Sequence, residues 1–183
     1  LTYPITKKTI HSKSINRQIL SKYNSFFHVG GTLKEELEFV KKNNIKIDYL
    51  YGVIRDPLDR FESAYKDRVL KKNTDQFQDN SLEFITENLQ NFINLKKDFG
   101  LHARPQTRWL GDNPKIYDKI FNTLELNLKF KPLVEEVAGI SIPETRLNVS
   151  NDNIKISFTQ EQKIFLKQFY KKDFLFLDKL NKL

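Results

Sequence analysis

Apolar positions along the chain fall into two spacings. "IDYLYGVI", residues 47–54, is nearly unbroken, with aromatic and β-branched side chains and a single charge. That pattern predicts a central strand of a parallel sheet, buried on both faces. "TLKEELEFVKKN", residues 32–43, instead puts Leu33, Leu37 and Val40 on one helical face, and Thr32 with Glu35 has the spacing of a capping box. After residue 54, Asp56 can cap a helix whose first position is Pro57, and Leu58, Phe61, Tyr65 and Val69 share its apolar face. Ser63 falls on the opposite side with Arg60 and Asp67, outside the apolar stripe.

The rest of the chain follows the same alternation. "LTYPI" (1–5) and "SFFHV" (25–29) read as strands, the second stopped by Gly30-Gly31, and "SINRQILSKY" (14–23) reads as a helix. Further helices are predicted over 81–95 and 124–138, with a short strand near "YDKIF" (117–121). A loop around Pro143 leads into "FTQEQKIFLKQFYKKDFLFLDKL" (158–180), where Thr159 and Gln162 form a second capping box. Strand-like and helical segments that alternate in this way predict an α/β fold with a mostly parallel sheet. There is no repeat, no Gly/Ser/Pro-rich linker and no low-complexity block in the 183 residues, which predicts one domain, residues 1–183.

Composition narrows the chemistry. The chain is 39% hydrophobic and 13% aromatic, enough for a packed core. It has no Cys, which excludes disulfides and thiolate metal sites, and its three histidines, at 11, 28 and 102, lack a zinc spacing, so no metal is expected. No stretch reads as a signal peptide or membrane span, and with the missing cysteines this gives a cytoplasmic expectation. The net charge of +8 suits an anionic partner, although lysines on solvated faces give the same total.

Two loops stand out. "ITKKTIHSKS" (5–14) places Lys7, Lys8, His11, Ser12 and Ser14 between a strand and a helix start. Unpaired amides at a helix N-terminus and the positive end of its dipole make such a junction a phosphate cradle, with Lys7 adding charge and Ser12 and Ser14 adding donors. The bland reading is a basic loop with Ser12 as an N-cap, and no Walker motif is present. The second is Arg55, at the carboxyl end of the strongest strand, where α/β proteins bind ligands; a salt bridge is the alternative.

"IRDPLDRFESAYKDRV" (54–69) resembles the signature of the carbohydrate (type 2) sulfotransferase family, in which a strand ends in R-D-P and is followed by E/D-R and S-A-Y. Other segments follow in family order. "ITKKTIHSKS" resembles the P-K-T-x-x-T-S loop, with Lys7 on its lysine, Ser12 on its last serine and Thr6 in place of its proline. "FFHVGGTLKEEL" resembles a segment carrying a histidine before a helix, and "LHARPQTRWLGD" an H-x-x-P-Q segment. "ISIPETRLNVSND" and "FYKKDFLFLDKL" resemble the I-P-x-x-N-x-S and Y-x-x-D-F-x-x-F tail.

The resemblance implies a three-layer, P-loop-like α/β fold and a PAPS-dependent sulfotransferase. PAPS (3′-phosphoadenosine 5′-phosphosulfate) would be the sulfuryl donor and a hydroxyl, expected on a glycan, the acceptor. Lys7, or Lys8 in its stead, would stabilise the leaving phosphate, with Thr9, His11, Ser12 and Ser14 around the phosphosulfate. Arg55 and Ser63 would hold the 3′-phosphate, and Arg146, Asn148 and Ser150 would approach the cofactor. His28 is the first choice for general base and His102 the second. With Arg104 and Gln106, His102 is otherwise expected to bind the acceptor, and Trp109 to pack. Three alternatives stand beside this reading. A nucleic-acid-binding module explains the charge but lacks a binding motif, and nucleic acid is not an expected partner. A nucleotide kinase-like enzyme lacks the Walker Lys-Ser pair and a Mg²⁺ carboxylate. The third is a sulfotransferase fold that binds nucleotide without turnover.

Overall fold

The computed structural model describes residues 2–5, 32–44, 46–72, 77–139, 141 and 154–182. The expected helix over 14–23, the strand over 25–29 with its Gly30-Gly31 stop, and the loop around Pro143 lie outside these residues. The chain groups into two compact units, each assembled from separated stretches. The first comprises Leu1–Ile54, Gln106–Thr145 and Asp178–Leu183; the second comprises Arg55–Pro105 and Arg146–Leu177.

The first unit holds a three-stranded sheet in the order β1-β2-β3, from β1 (Thr2–Ile5), β2 (Tyr49–Ile54) and β3 (Lys119–Asn122). The expected central strand is β2. It pairs parallel with β3, Tyr51 opposite Lys119 and Ile54 opposite Asn122. β1 departs from the expected parallel arrangement and runs antiparallel to β2, with Thr2 opposite Gly52. Its Pro4 has no N–H to give to a ladder and is tolerated because β1 pairs on one side alone among the described strands. The parallel sheet expected from the alternation is therefore mixed across the described strands.

Local chemistry locks β2 to β3. The Asp118 carboxylate accepts from Leu50 N–H at 2.6 Å, and Asp118 N–H donates back to Leu50 C=O at 2.9 Å. A Cβ on Gly52 would stand 3.2 Å from the Tyr117 ring, so the bare backbone is what admits that buried ring. The Tyr117 hydroxyl donates to Leu110 C=O at 2.8 Å, and burial pushes its pKa well up. Helix α1 (Leu33–Lys42) starts with the expected box: Thr32 N–H donates to the Glu35 carboxylate, and Glu35 N–H donates to the Thr32 hydroxyl. The region expected as one helix over 124–138 opens instead as a 3₁₀ turn, Thr123–Glu125, and a π-helical turn, Leu126–Phe130. It becomes α-helical at Lys131–Ala138, a later element named α7 below. Pro132 is the reason: it has no N–H for the i→i−4 ladder. The α7 side chain Val134 packs with Tyr51 and Phe121 of the sheet.

The second unit is mainly helical. Helix α2 (Pro57–Ala64) widens into a π-helical run, Tyr65–Lys71. It is followed by α3 (Leu82–Glu87), α4 (Leu89–Leu95) and α5 (Lys97–Ala103). The short α6 (Thr107–Leu110) and α7 belong to the first unit. α8 (Gln160–Phe169) and most of α9 (Lys171–Leu180) complete the second. The helix expected over 81–95 is broken into α3 and α4. Thr86 is buried and its hydroxyl donates to Leu82 C=O, while the Asn88 side-chain amide takes Phe84 C=O at 2.9 Å. Both compete with the helical ladder. The apolar stripe of α2 packs as its spacing requires: Phe61, Tyr65 and Val69 join Phe77, Ile85, Leu89, Phe99, Leu166 and Tyr170 in one core. Each such side chain contributes on the order of 1.5–3 kcal/mol by leaving water.

Candidate functional site

Arg55 leaves β2 and precedes the cap of α2. The Asp56 carboxylate accepts from Leu58 N–H at 2.8 Å and Asp59 N–H at 3.1 Å, and Asp56 C=O accepts from Arg60 N–H at 2.9 Å. The cap therefore occupies the amides an anion would otherwise use at this helix start, so an anion here must be held by side chains. Arg55 is half-buried, and so is Ser63, whose hydroxyl takes no hydrogen-bond partner among the described residues. Ser63 lies two turns beyond Asp56 on the same flank, about 10 Å of axial rise. The short segment thus carries a cation and a hydroxyl donor outside the stripe that packs the core. That donor set fits a phosphate group.

A second arrangement surrounds α5. Arg60 Nη1 donates to Arg104 C=O, and Arg60 Nη2 reaches Leu101 C=O at 3.5 Å. The buried Tyr170 hydroxyl donates to Ala103 C=O at 2.6 Å. Three carbonyls at the C-terminal end of α5 are thereby taken by the helix of the R-D-P segment and by the tail. A cation at that end also meets the negative pole of the helix. Burial works against the Arg60 charge; Tyr170 and the fully buried Asp173 favour it, and Arg55 opposes it. Burial likewise pushes the Tyr170 phenol up. Sequence reasoning gave Arg60, Tyr170 and Asp173 no role. The signal was present in the acid-Arg pair after R-D-P and in the Y-x-x-D tail, but nothing in the spacing tells which carbonyls they meet.

His102 sits in the last turn of α5, at the surface but with its ring partly covered by neighbouring groups. Partial burial of the ring lowers its pKa from the usual 6.5, and Arg68 and Arg60 lower it further, against opposing effects of Asp98 and Asp67. Arg68 is held between those acids, Nη1 to Asp98 at 3.0 Å and Nε to Asp67 at 3.1 Å, while Lys72 pairs with Asp67 at 3.1 Å. The neutral imidazole, the form that accepts a proton, is therefore favoured. Arg104, expected to bind acceptor, donates from Nη2 to Ile93 C=O at 2.9 Å. The same carbonyl makes Gly100 indispensable: a Cβ there would lie 2.2 Å from the Ile93 oxygen. Gln106, also expected at the acceptor, is buried in the first unit, and its C=O accepts from Trp109 N–H at 2.8 Å and Leu110 N–H at 2.9 Å. Trp109 lies beneath the Arg108 guanidinium, 5.6 Å from the ring centre.

Lys7, Lys8, Thr9, His11, Ser12, Ser14 and His28 lie outside the described residues, as do Arg146, Asn148 and Ser150. Among the described residues no group of three or more His, Asp or Glu is placed to hold a metal, and no helix is long and apolar enough to cross a membrane.

β2 runs through Arg55 into the capped start of α2. A family model described as the sulfotransferase family matches residues 4–179, nearly the whole chain. The chain belongs to that family, in its carbohydrate (type 2) branch. No curated protein and no solved structure matched.

Proposed function

We propose that this sulfotransferase moves the sulfuryl group of PAPS to a hydroxyl of a carbohydrate. The observation that carries the donor assignment is the α2 segment. Arg55 precedes a helix whose N-terminal amides are already capped, and Ser63 offers a hydroxyl with no partner among the described residues. A guanidinium and a hydroxyl there suit the 3′-phosphate, the group that separates PAPS from ordinary adenosine 5′-nucleotides.

PAPS supplies an activated sulfur–oxygen bond. The acceptor oxygen forms a new bond to sulfur as the bond to the bridging oxygen breaks, and the departing electron pair stays on adenosine 3′,5′-bisphosphate. In this reading Lys7, supported by Lys8, offsets charge on that oxygen, and Thr9, His11, Ser12 and Ser14 donate to the phosphosulfate. His28 takes the acceptor proton, with His102 as the alternative base; its lowered pKa suits the role. The work of the chain is to position two reactants and stabilise charge.

Calorimetry with adenosine 3′,5′-bisphosphate tests the donor assignment before any acceptor is known. Binding is expected, with a rise in melting temperature equivalent to roughly 2.7 kcal/mol at a hundred times Kd. ATP is expected to do less. No heat and no thermal shift at millimolar ligand would remove the assignment.

A further inference from the structure

Arg60 stands in the chain between Arg55 and Ser63. It follows Asp56 by four positions and precedes Ser63 by three, so Asp56, Arg60 and Ser63 share one flank of α2. Its guanidinium reaches across to the end of α5: Nη1 donates to Arg104 C=O, and Nη2 lies 3.5 Å from Leu101 C=O. A planar fork set against two carbonyls fixes an angle as well as a distance, which a single amine does not. Arg55, Arg60, Ser63, Leu101 and Arg104 all belong to the second unit.

Stability does not account for a guanidinium in this place. Burial opposes its charge, and the charge of Arg55 opposes it too. The tail supplies the offset: Tyr170 and, three residues later, the fully buried Asp173 both favour the charged form. A buried charged joint is commonly no more stable than an apolar one of similar volume; what it can add is a single geometry. The hydrogen bonds of Arg60 go to backbone carbonyls, so its effect on a ligand runs through α2. Rotation of that helix is what matters at Ser63. Turning α2 by about 20° carries a hydroxyl about 4 Å from its axis through about 1.4 Å, enough to break a hydrogen bond.

We infer that Arg60 is a positioning residue for donor recognition: fixed to the end of α5, it holds α2 at the rotation in which the Ser63 hydroxyl and the Arg55 guanidinium meet one phosphate. The inference rests on the donor assignment proposed above and adds to it the part of the fold that sets the preference for a 3′-phosphate. The tail enters that preference through Asp173, which lets Arg60 stay charged where it is buried.

The test is the ratio of two affinities. Adenosine 3′,5′-bisphosphate and adenosine 5′-phosphate are each titrated by calorimetry into the parent, Arg60→Lys, Arg60→Met and Tyr170→Phe, well below every melting temperature. Arg60→Lys keeps the charge beside Arg55 but not the fork, so it separates geometry from electrostatics. It also carries the test by itself should Arg60→Met fail to fold. Both Arg60 variants are expected to bind the bisphosphate about tenfold more weakly, as when one charge-assisted hydrogen bond is lost, with 5′-phosphate affinity unchanged. Tyr170→Phe removes the hydroxyl that donates to Ala103 C=O, at the same end of α5. It should lower the melting temperature and leave the ratio at the parent value, because a variant that is merely less folded weakens both ligands alike. A parent-like ratio in Arg60→Lys, or an equal change of ratio in Tyr170→Phe, overturns the inference and leaves the donor assignment standing. A parent that does not prefer the bisphosphate removes the donor assignment, and the inference with it.

Discussion

Gly100→Ala sets two opposed effects against each other. Alanine gains up to about 1 kcal/mol over glycine in a helix interior. Here its Cβ would stand 2.2 Å from the Ile93 carbonyl oxygen, 3.1 Å from the carbonyl carbon and 3.3 Å from Cα. An ordinary contact is 3.4 Å or more, so α4 and α5 must separate by roughly 1.2 Å. The opposing group is backbone, which cannot swing aside as a side-chain tip does. Overpacking of this kind costs about 1–3 kcal/mol. The same oxygen accepts from Arg104 Nη2 at 2.9 Å, and losing a bond to a charged donor costs about 1.5–3 kcal/mol. Net of the propensity gain, the variant should lose about 3 kcal/mol, equivalent to a fall in Tm of about 6–12 °C for a chain of this size. Urea denaturation measures it directly. Arg104→Met in the Gly100→Ala background should cost less than Arg104→Met alone, because the bond is already broken. A variant as stable as the parent would show that helix propensity wins and that the close approach of α4 to α5 does not exist.

Three further outcomes are expected. Arg55→Ala should weaken adenosine 3′,5′-bisphosphate by about 2–4 kcal/mol and leave adenosine 5′-phosphate nearly unchanged in calorimetry; equal losses would make Arg55 structural. His28→Ala should keep nucleotide affinity within about threefold but lower kcat by roughly 10²–10⁴; near-normal turnover there with loss in His102→Ala would move the base to α5. The folded state holds the His102 pKa below its usual 6.5, so this residue's contribution to stability is present above that pH and is lost as pH falls through the folded value. Chemical denaturation at stepped pH should show a slope between pH 7 and 5 that His102→Gln reduces; an unchanged slope refutes the reading.

Much of the frame was legible because short-range rules decide it. The caps at Thr32, Asp56 and Thr159 depend on residues three apart, and all three side chains accept from the expected helix amides. The stripe of Phe61, Tyr65 and Val69 is a matter of helical spacing, and it is buried as a unit. The widening over Tyr65–Lys71 has no comparable signal in the spacing. Thr86 and Pro132 are single residues whose power to break a helix depends on burial or neighbouring geometry, so 81–95 and 124–138 read as continuous. Of the proposed site, Arg55 and Ser63 stand out in the sequence because one directly follows a strand and the other falls off an apolar face. The Arg60 and Tyr170 bonds to α5 join residues 44 and 67 positions apart, a distance no local pattern encodes.

Neither unit is a continuous stretch of chain, and that has a consequence during synthesis. Phe61, Ile85, Leu89 and Phe99 are made early, but Leu166 and Tyr170, which complete the same core, come about seventy residues after Phe99. At 5–20 residues per second a ribosome needs roughly 4–14 s to cover that gap. For those seconds α2, which follows Arg55 and carries Ser63, lacks Leu166 and Tyr170 from its core, and its aromatic face is left partly uncovered.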